Sequence, residues 1–197
     1  MDLTSYIVTF GYVGIFLTIF AESGVLIGFF LPGDSLLFTV ALLASQGHLN
    51  IFILIVGCIV AAVLGDSFGY YLGHTLGPKI FSREDSWFFN KKHVEEARVF
   101  FEKHGKKSII LARFVPIVRT FIPIFAGVGE MNYRTFLSYN IIGGTLWAGG
   151  FLLVSYCVGS IVPGIDKYLT VVILGIVIVS ALPIIIPVVK NYFTKAR

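Results

Sequence analysis

The sequence predicts an all-α integral membrane protein. A re-entrant hairpin followed by a long transmembrane helix occurs twice, in inverted orientation, with an additional C-terminal transmembrane helix. Three observations predict this. The chain is 56% hydrophobic and only 13% charged over 197 residues, against roughly 25% charged in a soluble domain. Its stretches 51–77 and 133–159 are apolar and long, and a helix needs about 20 such residues to span a bilayer. Each is preceded by an apolar segment broken by proline, whose halves are too short to cross a hydrocarbon core of about 30 Å.

Residues 4–21 are apolar and about 18 long, just enough to span if helical, and end at Glu22. Residues 24–47 are interrupted by FLPGDS at 30–35, leaving halves of roughly ten residues. A hairpin that enters and returns fits this length, with Pro32-Gly33 as its bend. Glu22 and Asp34 then lie at or within the membrane.

In the span 51–77, Gly57, Ala61, Gly65, Gly69, Gly73 and Gly77 recur every four residues. Such a stripe lets a second helix backbone approach closely, and Gly65, Gly69 and Gly73 are its packing centre. Asp66 sits beside it near mid-span. An intramembrane carboxylate there is either an accessory functional group or the buried partner of an arginine.

Residues 1–78 contain no Lys or Arg, whereas 78–107 hold eight. Lys190, Lys195 and Arg197 lie close to the C-terminus. The positive-inside rule puts the central loop and the C-terminus in the cytoplasm. Five acids interspersed in the loop (Glu84, Asp85, Glu95, Glu96, Glu102) argue against nucleic acid as its partner. Within it, 90–104 reads as an amphipathic helix with Val94, Ala97 and Phe101 on one face, stopped by Gly105 and lying on the membrane surface. Residues 1–7 carry no basic residue, so no secretory signal peptide is expected.

The stretch ARFVPIVRTFIPIFAG at 112–127 is apolar yet carries Arg113 and Arg119, with Pro116 and Pro123 breaking it. An arginine at mid-membrane depth costs about 2.5–3.5 kcal/mol on insertion scales. Irregular backbone and charge are tolerated there only inside protein or along a watery cavity. The stretch therefore reads as the second re-entrant segment. The span 133–159 follows, with Trp147 inside it, then a short loop with Pro163, Asp166 and Lys167. The last span is 169–189, where Pro183 and Pro187 kink or fray the end.

The chain thus forms one membrane domain, 1–197. Repeat one is 22–77, the cytoplasmic amphipathic loop 78–107, repeat two 108–159 and the last helix 169–189. Asp34 to Gly73 is 39 positions and Arg119 to Gly159 is 40. With the loop cytoplasmic, the two hairpins enter from opposite faces, the design by which many secondary transporters gather binding groups near the midplane. The first half supplies carboxylates and the second guanidiniums. Left apart in lipid, four such ions would cost on the order of 10 kcal/mol, so they must pair, hydrate or bind something. No enzyme, metal or cofactor is expected. His48, His74, His93 and His104 sit at span ends or in the polar loop, with no nucleophile–His pairing or metal-ligand spacing. Cys58 and Cys157 read as packing residues.

Several motifs together resemble the DedA family over nearly the whole chain. They are Glu22 ahead of PGD at 32–34, GDSFGYYLG at 65–73, VEEARVFFEKHG at 94–105 and RFVPIVRTFIPIFAG at 113–127. The resemblance implies a multi-pass bacterial inner-membrane transporter with two re-entrant hairpins. It further implies recycling of undecaprenyl phosphate, proton-dependent transport, and Glu22, Asp34, Arg113 and Arg119 as the functional set. The expected activity is a flippase returning this polyprenyl phosphate lipid from the outer to the inner leaflet for envelope polymer synthesis. Arg113 and Arg119 would hold the phosphate. Glu22 and Asp34, disfavoured as ions by partial desolvation, would take up protons. The alternative is a proton-coupled exporter of small cations or drugs, in which the acids bind substrate.

Overall fold

The structure, a computed structural model, describes residues 3–25, 33–80, 105 and 107–161. The expected Pro32 bend, the amphipathic helix at 90–104 and the last span at 169–189 lie outside the described residues. All regular structure among the described residues is helical. In chain order it comprises α1 (Leu3–Gly24), α2 (Gly33–Ser45), α3 (Ile51–Ile80), α4 (Ser108–Ala112), α5 (Pro116–Val128) and α6 (Tyr133–Ile161).

Among the described residues, two helices are long and apolar enough to cross a bilayer, Ile51–Leu76 within α3 and all of α6, at 26 and 29 residues. At 1.5 Å per residue the shorter is about 39 Å, beyond the hydrocarbon thickness of about 30 Å. Helices α2 and α5 have 13 residues each, about 20 Å by the same rise, and cannot span. Phe52, Val56, Val60, Leu64 and Phe68 form an exposed apolar stripe along α3. A soluble monomer rarely leaves such a face open.

The two short helices are joined to the two long ones by corners of the same construction. After α2, the His48 N–H bonds the Leu43 carbonyl at 3.0 Å, and Gly47 is left-handed at φ 83°. After α5, the Met131 N–H bonds the Ala126 carbonyl at 3.0 Å, and Glu130 is left-handed at φ 53°. This is the capping arrangement that satisfies the last carbonyls of a helix. An asparagine then starts each long helix. Asn50 Oδ1 accepts from the Phe52 and Ile53 amides, and Asn132 Oδ1 from those of Arg134 and Thr135.

Packing is exchanged between the halves. Helix α1 lies on α3 and α4 on α6, each on the long helix of its own half; α2 packs on the C-terminal part of α6, and α5 on α3. The close approaches are made through glycine. A Cβ at Gly65 would stand 2.5 Å from the Phe20 carbonyl oxygen of α1, and one at Gly73 would run into the Ile124 backbone of α5. Gly69 lies between these contacts, near both Gly24 and Pro123. Two buried clusters result among the described residues. One gathers Ile19, Leu37, Leu54, Cys58 and Leu152; the other gathers Tyr70, Ile109, Ile122, Ala126 and Phe136.

The stretch 112–127 is more helical than its prolines suggest. Pro116 opens α5 after an extended Val115 (φ −114°, ψ 107°), a position where its missing N–H would have had no helical partner. Pro123 lies inside α5, and the helix runs through it. The break is confined to residues 113–115, between α4 and α5.

Candidate functional site

The breaks in the short elements determine where the charges fall. Glu22 lies in the last turn of α1 and Asp34 in the first turn of α2. Arg113 follows α4 directly, and Arg119 lies in the first turn of α5. Asp34 at a helix N-terminus is favoured by the helix dipole, whereas Arg119 there is disfavoured and needs an anionic partner.

It has two. Arg119 Nη1 donates to Asp34 Oδ1 at 3.0 Å, and Arg119 Nη2 donates to Glu22 Oε1. Trp147 of α6 closes the group. Its indole N–H donates to the same Asp34 Oδ1 at 3.2 Å, and its ring lies 4.6 Å from the Arg119 guanidinium carbon. The Glu22 side chain is 3% exposed, Arg119 11% and Asp34 20%, so what access there is lies on the Asp34 side. Space here is made by Gly33, where a Cβ would overlap the Glu22 carboxylate. Glu22 Oε2 has no hydrogen-bond partner among the described residues.

Arg113 is placed differently. Its Nη2 donates to Asp66 Oδ2 of α3 and to Asn140 Oδ1 of α6, and the Asn140 amide donates to the Val63 carbonyl at 3.1 Å. Asp66 and Arg113 are both buried. Gly143 lets the arginine stem lie against α6, since a Cβ there would come within 2.9 Å of Arg113 Cδ. Arg113 Nε has no partner among the described residues. The expected four ions are thus divided: Arg119 takes both Glu22 and Asp34, while Arg113 takes Asp66. The groups still interact, because Arg119 is near enough to act electrostatically on both Asp66 and Arg113.

Sequence reasoning did not assign Asn140 or Trp147 to the site. The available signal was position. A neutral amide and a tryptophan inside an apolar span are unusual where tryptophan normally marks the membrane interface. Chemically, a desolvated guanidinium flanked by two carboxylates can exchange one anionic partner for another. The planar fork of arginine suits carboxylate and phosphate alike.

Residues 31–157 match the VTT domain. The chain is 46% identical over 179 residues to an uncharacterized membrane protein of Mycobacterium leprae, covering 91% of this chain and 80% of that one. It is 44% identical over 188 residues to protein DedA of Escherichia coli, covering 94% and 85% of the two chains. It is 29% identical over 185 residues to undecaprenyl phosphate transporter A of Staphylococcus aureus, covering 89% and 90%. These are names of membrane proteins and of a transporter, not of enzymes. No solved structure matches the chain. By the domain match and these identities, the chain belongs to the DedA family of VTT-domain membrane proteins.

Proposed function

We propose that the protein is a proton-coupled flippase that moves a polyprenyl phosphate lipid, of the undecaprenyl phosphate type, across the bacterial cytoplasmic membrane. The observation that carries this is the Arg119 guanidinium held between Glu22 and Asp34. In the structure the cation is satisfied by carboxylates. When the carboxylates are protonated they release it, and the head-group phosphate takes their place while the prenyl tail stays in lipid. Deprotonation on the inner side restores the carboxylate pairs and expels the phosphate. The cycle needs only that proton and lipid favour different states of the same site. Arg113 supplies a second positive charge behind Arg119, balanced by Asp66 as the accessory acid.

Alternating access comes from two hairpins built on α2 and α5, entering from opposite faces. Support for an inverted repeat lies in the matching corners, in the asparagine caps and in the exchanged packing of α2 and α5. The central loop and C-terminus lie on the cytoplasmic side. Cysteine-accessibility mapping at positions 35 and 120 tests the hairpins: labelling from opposite faces is expected, and labelling of both from one face refutes the inverted arrangement.

The functional test is uptake of labelled undecaprenyl phosphate in proteoliposomes. Transport that depends on Arg119 supports the reading, and full transport by Arg119→Ala refutes it. One observation favours a second reading, an exporter of small cations. With all groups ionised, Glu22, Asp34 and Asp66 outnumber Arg113 and Arg119 by one charge (three against two). Proton release on adding a cation, with none on adding the lipid phosphate, would favour that reading.

A further inference from the structure

Trp147 stands at the centre of the 29-residue α6 and is 5% exposed. Spanning helices usually carry tryptophan at their ends, where the ring meets the head groups. Here both recognition features of the side chain are directed at the charged site. The indole N–H bonds Asp34 Oδ1 and the ring face lies against Arg119, while that same oxygen also accepts from Arg119. One side chain therefore touches both members of an ion pair.

The local backbone is built for this. Residues Thr145–Gly149 form a π-helical turn in which the Gly150 N–H reaches back to the Thr145 carbonyl. Such single turns add a residue to the α repeat and re-aim the side chains they carry. Asn140, two turns earlier on the same helix, meets Arg113. Helix α6 thus presents one group to each arginine.

The two contacts of Trp147 differ in what sustains them. Its hydrogen bond to Asp34 is strongest when the acceptor is charged. Its attraction for a guanidinium needs no carboxylate and is enhanced by desolvation. An arginine released by its acids in an apolar setting would otherwise extend its long stem toward water. We propose that Trp147 is the positioning residue of the site: its ring retains Arg119 when Glu22 and Asp34 let go, presenting the freed guanidinium to an anionic head group. The proposal rests on the reading of Arg119 as the ligand-binding cation.

Two measurements test it. The chain has two tryptophans, Trp87 and Trp147, so Trp87→Phe leaves Trp147 as the sole emitter. With Glu22→Gln/Asp34→Asn added to that background, so that the acids no longer hold the cation, Arg119→Gln is expected to shift the emission of Trp147; an unchanged spectrum overturns the proposal. The second measurement is the concentration dependence of undecaprenyl phosphate uptake in proteoliposomes. Trp147→Leu, which removes the ring, should raise KM about fivefold to tenfold with kcat within about twofold, as expected for a lost cation–π contact. Trp147→Phe, which keeps a ring face but no N–H, should stay within about threefold of the parent KM. A fall in kcat alone, or equal damage from Leu and Phe, overturns the positioning role. If the parent moves no undecaprenyl phosphate, the transport reading fails on its own, and the emission measurement still decides whether Trp147 holds Arg119.

Discussion

Arg119 donates to Asp34 at 3.0 Å across 85 positions of sequence, joining the first turn of one short helix to the first turn of another. The two residues belong to 13-residue helices, so the bond ties together two elements each too short to span a bilayer. Glu22 bonds the same guanidinium from the end of α1. Three separate elements thus converge on one cation.

Removing that cation should be costly. Arg119→Gln leaves Glu22 and Asp34 facing each other in a largely desolvated site, and breaking a buried pair this way costs about 3–5 kcal/mol. Neutralising the acids as well, in Glu22→Gln/Asp34→Asn/Arg119→Gln, should recover most of that stability but no transport. Denaturation of the purified protein in detergent, run beside proteoliposome uptake, separates the two effects. A triple variant as unstable as the single one contradicts the pairing.

Arg113 and Asp66 should behave as a coupled unit. Either Arg113→Gln or Asp66→Asn alone leaves a buried ion without its partner, an effect again of about 3–5 kcal/mol for the retained charge. The double variant should be less damaged than the sum of the singles. A double-mutant cycle with a coupling energy near zero would show that the contact contributes nothing.

Gly33→Ala puts a methyl group where the Glu22 carboxylate lies. The acid must then move away from Arg119. The expected outcome is a loss of transport of at least tenfold in a protein that still folds and inserts, read by uptake and by size-exclusion profile. Wild-type transport in this variant would mean that Glu22 need not occupy its present position.

How far the sequence carried depends on what kind of signal each feature leaves. The long helices were legible because an apolar run of that length has few alternatives. Glu22, Asp34, Arg113 and Arg119 were legible because ions in apolar stretches are conspicuous. Their pairing was not. Nothing in the spacing distinguishes Arg119 from Arg113 as the partner of the two acids, since that depends on how α2 and α5 cross between halves. Pro123 was misleading for a physical reason. A proline inside a helix removes one amide, a loss that packing against α3 can outweigh. Asn140 and Trp147 left only weak traces, because neutral residues within a span are read first as packing.

Glu130 offers a stability test independent of the charged site. It occupies the left-handed position after α5 at φ 53°, where Gly47 stands in the corresponding corner after α2. A side chain in this conformation costs roughly 1–2 kcal/mol. Glu130→Gly should stabilise the protein by about 1 kcal/mol, seen as a rise in Tm, with transport unchanged. A lower Tm would mean that the Glu130 side chain makes a contact worth more than the strain.

The central claim is that a proton and a lipid phosphate exchange for one another at Arg119. It is tested most directly by following proton uptake when undecaprenyl phosphate binds the purified protein in weakly buffered solution near pH 8, where a phosphate monoester is essentially fully ionised. Uptake of protons on binding is predicted, abolished in Glu22→Gln/Asp34→Asn. Tight binding with no proton taken up, or uptake undiminished in that double variant, would contradict it.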